Sequence, residues 1–333
     1  MDIVTDRHIT SGQSLTRAGV ALLRHPLGIA LLVIVAMLVF GEVLSPGFAA
    51  PRQIVKLLTI AALLGIVAAG QNLVILGGGE GIDLSVGAMV SLGAVIAGNI
   101  MQGDNAMIVP ALAATAGLTF VLGIINGLGV TVMRIPPLVM TLGMLGVVQG
   151  ALVVITRGAP SGNASPALSE FVNQPLALGI PGILFIWAVV GASVIALLRS
   201  SVFGLQVYAV GTNQRAATLS GISVWRTRTL LFGLSGFFAG LASVFVLGYT
   251  GNSFIGVGEQ YMLPSIIAVV IGGTSLSGGQ GGYAGTIAGA IVLVLLQSIL
   301  TTLQLEEFGR QIIFGATLLV LMLFYGRRRR LRS

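Results

Sequence analysis

The chain has no cysteine. Disulfides and thiolate chemistry are therefore excluded, and nothing reports on a redox compartment. Its two histidines, His8 and His25, both lie near the amino terminus. Neither a histidine-based metal site nor a histidine triad can be built along the rest of the chain. Charge is scarce as well: 8% of the residues are charged, against about 25% in soluble domains. What is present is apolar, with 55% hydrophobic residues and a mean hydropathy of +1.01. That composition belongs in a bilayer. The 48 glycines of 333 residues exceed the usual share of about 7% and suit close helix–helix packing.

Ten apolar runs follow one another at 27–44, 55–76, 84–101, 108–132, 138–155, 183–198, 229–247, 263–273, 283–303 and 312–325. A straight spanning helix needs roughly 17–25 residues. Eight runs qualify, while 263–273 and 312–325 are short, and are broken, partly buried or longer than drawn. The first run is too long for the apolar part of a cleaved leader, which is about 7–15 residues. It reads as an uncleaved span. The expected fold is an all-α polytopic membrane protein of about ten spans. Residues 1–26 form a cytoplasmic segment, with 14–24 amphipathic enough to lie on the membrane. Residues 27–326 form one membrane domain, and 327–333 a basic cytoplasmic tail. An even span count puts both termini on one side, and 13 of the 17 basic residues then fall there, the cytoplasmic side. This distribution explains the net charge of +7 as membrane orientation rather than nucleic-acid binding.

The stretch 77–93, GGGEGIDLSVGAMVSLG, is a poor choice for an unbroken membrane helix. Interior glycine costs a helix about 1 kcal/mol relative to alanine, and a central aspartate costs about 2.5–3.5 kcal/mol on insertion scales. Broken backbone at membrane depth is tolerated where protein or a water-filled cavity satisfies it. The stretch reads as a discontinuity beside a solute path, or else as a tight loop at a membrane face with Asp83 capping the next helix. Residues 258–273 repeat its layout after a span of opposite direction. That suggests inverted repeats, with chance similarity in a Gly/Ala/Val-rich chain as the rival. Candidates to line a path are Gln71, Asn72 and Asn126, with Asp83 and Ser85 of the break itself. Amides in apolar runs, Gln149 and Gln297 included, are equally served by interhelical hydrogen bonds. The loop 157–181 is a structured cover or a docking surface, or else a plain linker.

The polar segment 199–228 contains GTNQRAATLSGI at 211–222. Asn213 can cap a short helix through Leu219, with Gly221 as its stop. Such a helix is a docking knob or an inert surface turn. GIDLSVG at 81–87, GTNQRAATLSGI, and GGTSLSGGQGG at 272–282, in this order and spacing, resemble the ribose/xylose-type sugar permeases of bacterial ABC importers over nearly the whole chain. The resemblance implies a permease subunit of the inner membrane that imports a pentose-like monosaccharide and catalyses no reaction. It implies partners: ATPase subunits carrying ATP–Mg, a second permease copy or paralogue, and a periplasmic sugar-binding protein. This chain would then hold no cofactor. Branched-chain amino-acid or nucleoside permeases share the architecture. A self-contained ion-coupled carrier is a poorer fit, because few acids lie in the spans.

The resemblance also assigns the loop 211–222 to ATPase contact, through Gly211, Asn213, Arg215, Ala216, Ala217, Ser220, Gly221 and Ile222. One departure is Tyr261-Met262-Leu263-Pro264, where many members carry an acidic Tyr-Glu-Leu-Asp. The string LSGGQ at 276–280 is the signature of ABC ATPases, yet Lys56 is the sole lysine and Leu57 follows it. No G-x-x-x-x-G-K-[ST] phosphate loop exists, and LSGGQ belongs to the permease turn.

Overall fold

A computed structural model of the protein describes residues 26–159 and 162–327. The expected surface segment 14–24 and the arginines beyond 327 lie outside the described residues. Each of the ten apolar runs falls on a helix. These are α1 (Pro26–Leu44), α2 (Pro51–Leu76), α3 (Val86–Met101), α4 (Ile108–Thr131), α5 (Pro137–Thr156), α7 (Gly182–Ser200), α10 (Val224–Thr250), α11 (Glu259–Ile271), α12 (Tyr283–Thr302) and α13 (Glu307–Arg327). Three further helices, α6 (Pro166–Asn173), α8 (Val202–Thr212) and α9 (Gln214–Leu219), lie in the connections. Among the described residues, α2, α4, α5, α7, α10 and α12 are long and apolar enough to cross a membrane. The protein is an all-α polytopic membrane protein apart from one small hairpin, Pro175–Ala177 with Ile180–Pro181. The short run at 263–273 belongs to a helix that starts at Glu259. The run at 312–325 belongs to a 21-residue helix, because Glu307 and Arg310 extend it beyond its apolar part.

Helix starts follow from proline. Pro51, Pro137 and Pro166 occupy the first turns of α2, α5 and α6, where a missing N–H removes no helical bond. The core is built on α2 and α10. Apart from Leu58 and Ile60, every residue of α2 from Leu57 to Leu76 is buried. α10 packs most extensively on α4, then on α2 and α3. Small residues set these approaches: Gly236 and Gly240 of α10 lie on the α4 backbone at Thr119 and Ala116, and Gly123 and Gly127 of α4 lie on Phe232 and Thr229. This is the small-residue packing that replaces hydrophobic driving force in lipid. α7 is tied in by Trp187, whose Nε1 donates to the Tyr283 hydroxyl (3.0 Å), which in turn donates to the Gly65 carbonyl (2.7 Å).

Two long helices end in breaks, and each break feeds a short helix. α2 leads through residues 77–85 into α3, and α10 leads through residues 251–258 into α11. The two short helices meet near their first turns. The Gly258 N–H donates to Ser91 Oγ (2.9 Å), and Gly87 faces Gly258 with no room for a side chain between them. The described part of the loop 157–181 is structured rather than a plain linker. Ser165 caps α6, Asn173 Nδ2 donates to the Gly248 carbonyl (3.1 Å), and Ala164 N–H donates to the Gly251 carbonyl (2.8 Å).

Candidate functional site

α9 is a single capped turn. Asn213 Oδ1 accepts from the Ala216 N–H (3.0 Å), and at the other end Ile222 N–H reaches back to the Ala217 carbonyl (3.0 Å) over Gly221 at φ +81°. Six-to-one closure over a left-handed glycine is how short helices satisfy their last carbonyls. Arg215, Ala216, Ser220 and Gly221 are exposed, Ile222 is half-buried, and Ala217 is buried against the body. Leu219, 90% exposed, stands at the tip.

The knob is fastened to a junction of three glycine turns. Gly211 at the end of α8, Gly78 after α2 and Gly278–Gly279 after α11 touch through their backbones. The Gly279 N–H donates to the Leu76 carbonyl (2.9 Å), which closes the end of α2. A Cβ at Gly211 would overlap the Leu76 carbonyl and the backbone of Gly279, and one at Gly278 would overlap Gly78. Gly78 and Gly278 also have φ of +69° and +85°, a region that side chains other than glycine's disfavour. Arg228, in the first turns of α10, donates from Nη2 to the carbonyls of Gly78 (2.8 Å) and Gly79 (2.9 Å). Nothing in the residue pattern around Arg228 singles it out before the fold is known. The glycines just before GIDLSVG, the first residue of GTNQRAATLSGI and the glycines inside GGTSLSGGQGG thus converge.

Below the junction lies a buried polar network, in which the Asn72 and Asn126 amide oxygens have no partner among the described residues. Asp83, Ser85, Gln71, Asn72 and Asn126 are all fully buried. Asp83 Oδ1 accepts from the Ser85 N–H (3.0 Å) and hydroxyl, and Oδ2 accepts from Ser235 Oγ (2.8 Å). Asn126 Nδ2 donates to Ser85 Oγ (2.9 Å). The Gln71 amide, turned to satisfy both its atoms, bonds the N–H and the carbonyl of Asp83 (3.2 and 3.1 Å). Asn72 Nδ2 donates to Thr274 Oγ1 (2.9 Å) and Thr286 Oγ1 (3.0 Å). Ser85 precedes the first residue of α3 and makes no side-chain capping bond; Asp83 Oδ1 takes the Ser85 N–H at this end of the helix. Of the five residues expected beside a path, Gln71, Asp83, Ser85 and Asn126 bond one another or the break, Asn72 bonds the turn after α11 and the first turns of α12, and none borders the open cavity described next. The reason is that a broken backbone in an apolar interior must find internal partners.

The cavity lies at the opposite end, with a volume of about 820 Å³, within the roughly 300–1,000 Å³ usual for ligand sites. Helix α2 contributes Gln53, Lys56, Thr59, Ile60 and Leu64, and α12 contributes Val294, Gln297, Ser298, Thr301 and Thr302. Asn173, Pro181, Tyr249, Gln260, Tyr261 and Pro264 complete it. It ends at Leu64 on α2 and Val294 on α12, whereas the network holds Gln71 and Thr286. The separation is about two turns, or roughly 10 Å.

Residues 53–323 match the family model described as the permease component of branched-chain amino acid transport systems. The chain is 35% identical over 301 residues to the ribose import permease protein of Bacillus subtilis, covering 89% of this chain and 90% of that one. It is 32% identical to the ribose import permease protein of Escherichia coli K12, at 89% and 91% coverage. It is 31% identical to the autoinducer 2 import system permease protein of Shigella flexneri, at 90% and 86%. With the match running through most of the described helices, from α2 into α13, the chain belongs to this family of transport permease components and is not an enzyme.

Proposed function

We propose that this chain is the membrane subunit of an ATP-driven importer of a monosaccharide, with ribose the first candidate from the names of its relatives. The observation that carries the reading is the glycine junction. The exposed, capped α9 is joined through Gly211, backbone to backbone, to the segments that follow α2 and α11. A push on α9 therefore reaches both short helices without passing through a flexible side chain. Partner ATPase subunits, which bind ATP–Mg, press on Leu219 and its neighbours. A sugar-binding protein delivers solute at the opposite end, where α6 and the hairpin form the cover.

In this reading the ten helices on apolar runs all cross the bacterial inner membrane, α3 and α11 as the inner halves of inverted repeats related through the Gly87–Gly258 contact. Both termini are cytoplasmic, and the chain works as a pair with a second copy or paralogue. The network of Gln71, Asn72, Asp83, Ser85 and Asn126 is the closed floor of the path. An amino-acid importer is the second reading, favoured by the family's description. Uptake of labelled ribose and leucine by the assembled importer in proteoliposomes tests both. We expect ATP-dependent ribose uptake only when the ATPase and the binding protein are present. Leucine uptake instead, or uptake by this chain alone, would overturn the proposal.

A further inference from the structure

The cavity differs from the network below it in what its polar groups do. The side chains of Gln53, Lys56, Gln297, Tyr249 and Tyr261 make no hydrogen bond within the described chain, although all five border the same space. Tyr261 is otherwise buried, 6% exposed. Pro264 has no N–H to offer the Gln260 carbonyl one turn earlier, and both residues border the cavity. In an apolar surround, free amides, hydroxyls and carbonyls need water or solute as partners. On α12 the lining keeps to one face, 294, 297, 298, 301 and 302, while on α2 it runs from 53, 56, 57, 60 and 64 round to Val55 and Thr59, so two adjoining helices are lined along about two turns or more each.

We infer that this cavity is a solute-binding site within each copy of the chain, built for a neutral polyhydroxylated molecule of monosaccharide size. Amides and hydroxyls that both donate and accept match sugar hydroxyls, and Tyr249 and Tyr261 offer ring faces and phenols. The lining holds one cation, Lys56, and no carboxylate. An amino acid's ammonium group would therefore have no counter-charge. This inference rests on the importer reading and names where the solute rests.

The absence of cysteine makes a direct test possible, because an introduced thiol is the sole one on this subunit. Gln297→Cys and Gln260→Cys are made in the assembled importer, with Thr218→Cys on the exposed α9 as the marker of the other face. A membrane-impermeant, sulfonated thiol reagent is added outside right-side-out vesicles, and labelling is read on this subunit alone. We expect both cavity thiols to react from outside and Thr218→Cys to remain unlabelled. Ribose, or another monosaccharide of a small panel, should slow labelling of both by about tenfold, and leucine should not. Reaction with lipid-soluble maleimide only would make the cavity a lipid crevice and overturn the inference. So would labelling indifferent to every sugar, or protection by leucine. Wild-type uptake is measured in parallel. Sugar uptake with unprotected thiols sinks this site alone, whereas thiols protected by sugar without ATP-dependent uptake sink the importer reading alone.

Discussion

The two breaks solve one problem in opposite ways. Backbone released from a helix at membrane depth has no water to bond. Residues 77–85 are satisfied by side chains of the central helices: Gln71 bonds Asp83, Asp83 bonds Ser85, and Arg228 bonds Gly78 and Gly79. Residues 251–258 are held by the far loop and by α3, through Ala164 N–H to the Gly251 carbonyl, Ser253 N–H to the Gly162 carbonyl and Gly258 N–H to Ser91. The first break is packed backbone on backbone. The second leaves Phe254 and Ile255 exposed and opens beside the cavity. On the proposed reading the first break transmits a displacement and the second lies beside the guest; the first turn of α3 meets the second break where Gly87 faces Gly258.

The harshest way to break this contrast is to wedge the tight end. Gly211→Val places atoms on the Leu76 carbonyl and the Gly279 backbone, and neither can yield as a side-chain tip would. Overpacking of this kind costs about 1–3 kcal/mol or more. We expect uptake in proteoliposomes to fall to background. Gly117→Ala, where a Cβ meets nothing within 4 Å, should change uptake by less than about twofold. Next in size is Leu219→Glu. A large apolar tip that anchors a partner is commonly worth about 2 kcal/mol or more, so uptake should fall at least about tenfold while the chain inserts and melts as before. The measurement is ATP-dependent uptake beside a thermal melt of the purified subunit. Normal uptake would detach the knob from the mechanism.

How much of this contrast could be read before the fold was known depended on what kind of signal each part carried. The ten helical runs, the Asn213 cap, the Gly221 stop and the break at 77–85 are local features, and local chemistry specifies them. The convergence of Gly78, Gly211 and Gly278 is not local, because these residues are separated by more than sixty positions at each step. Asn72 and Gln297 look alike in sequence, each an amide in an apolar run. The amide N–H groups of one are bonded to two buried threonines, Thr274 and Thr286, while the other borders a cavity without a side-chain partner among the described residues. Only packing separates them. The cover at 157–181 was undecided for a related reason: its Pro and Gly residues fit a linker as well as a capped helix and hairpin.

Arg228 sharpens the comparison by joining the knob side of α10 to the first break. Bonds from a charged donor are worth about 1.5–3 kcal/mol when buried, and partial exposure of this side chain reduces that toward the lower figure. Arg228→Gln should lower uptake about tenfold and leave insertion intact. Arg228→Lys, with a single cationic head to share between two carbonyls, should recover part of it. An unchanged uptake rate for Arg228→Gln would make this contact ornamental.

The smallest effect is expected at Asp83→Asn, and its smallness is informative. The carboxylate accepts from Ser85 at one oxygen and from the Ser235 hydroxyl at the other. An asparagine can keep its carbonyl on Ser85 and offer its amide N–H to Ser235 Oγ, which rotates to accept. Shape, burial and the number of bonds are preserved. If the network is a brace, uptake stays within about threefold and the melting temperature drops by the equivalent of about 1 kcal/mol. Asp83→Leu should be far worse, because it strands the Ser85 N–H and both hydroxyls without their acceptor. Uptake abolished by Asp83→Asn with an unchanged melt would give the opposite answer: the charge itself would be used during transport, and the first break would belong to the path rather than to its floor.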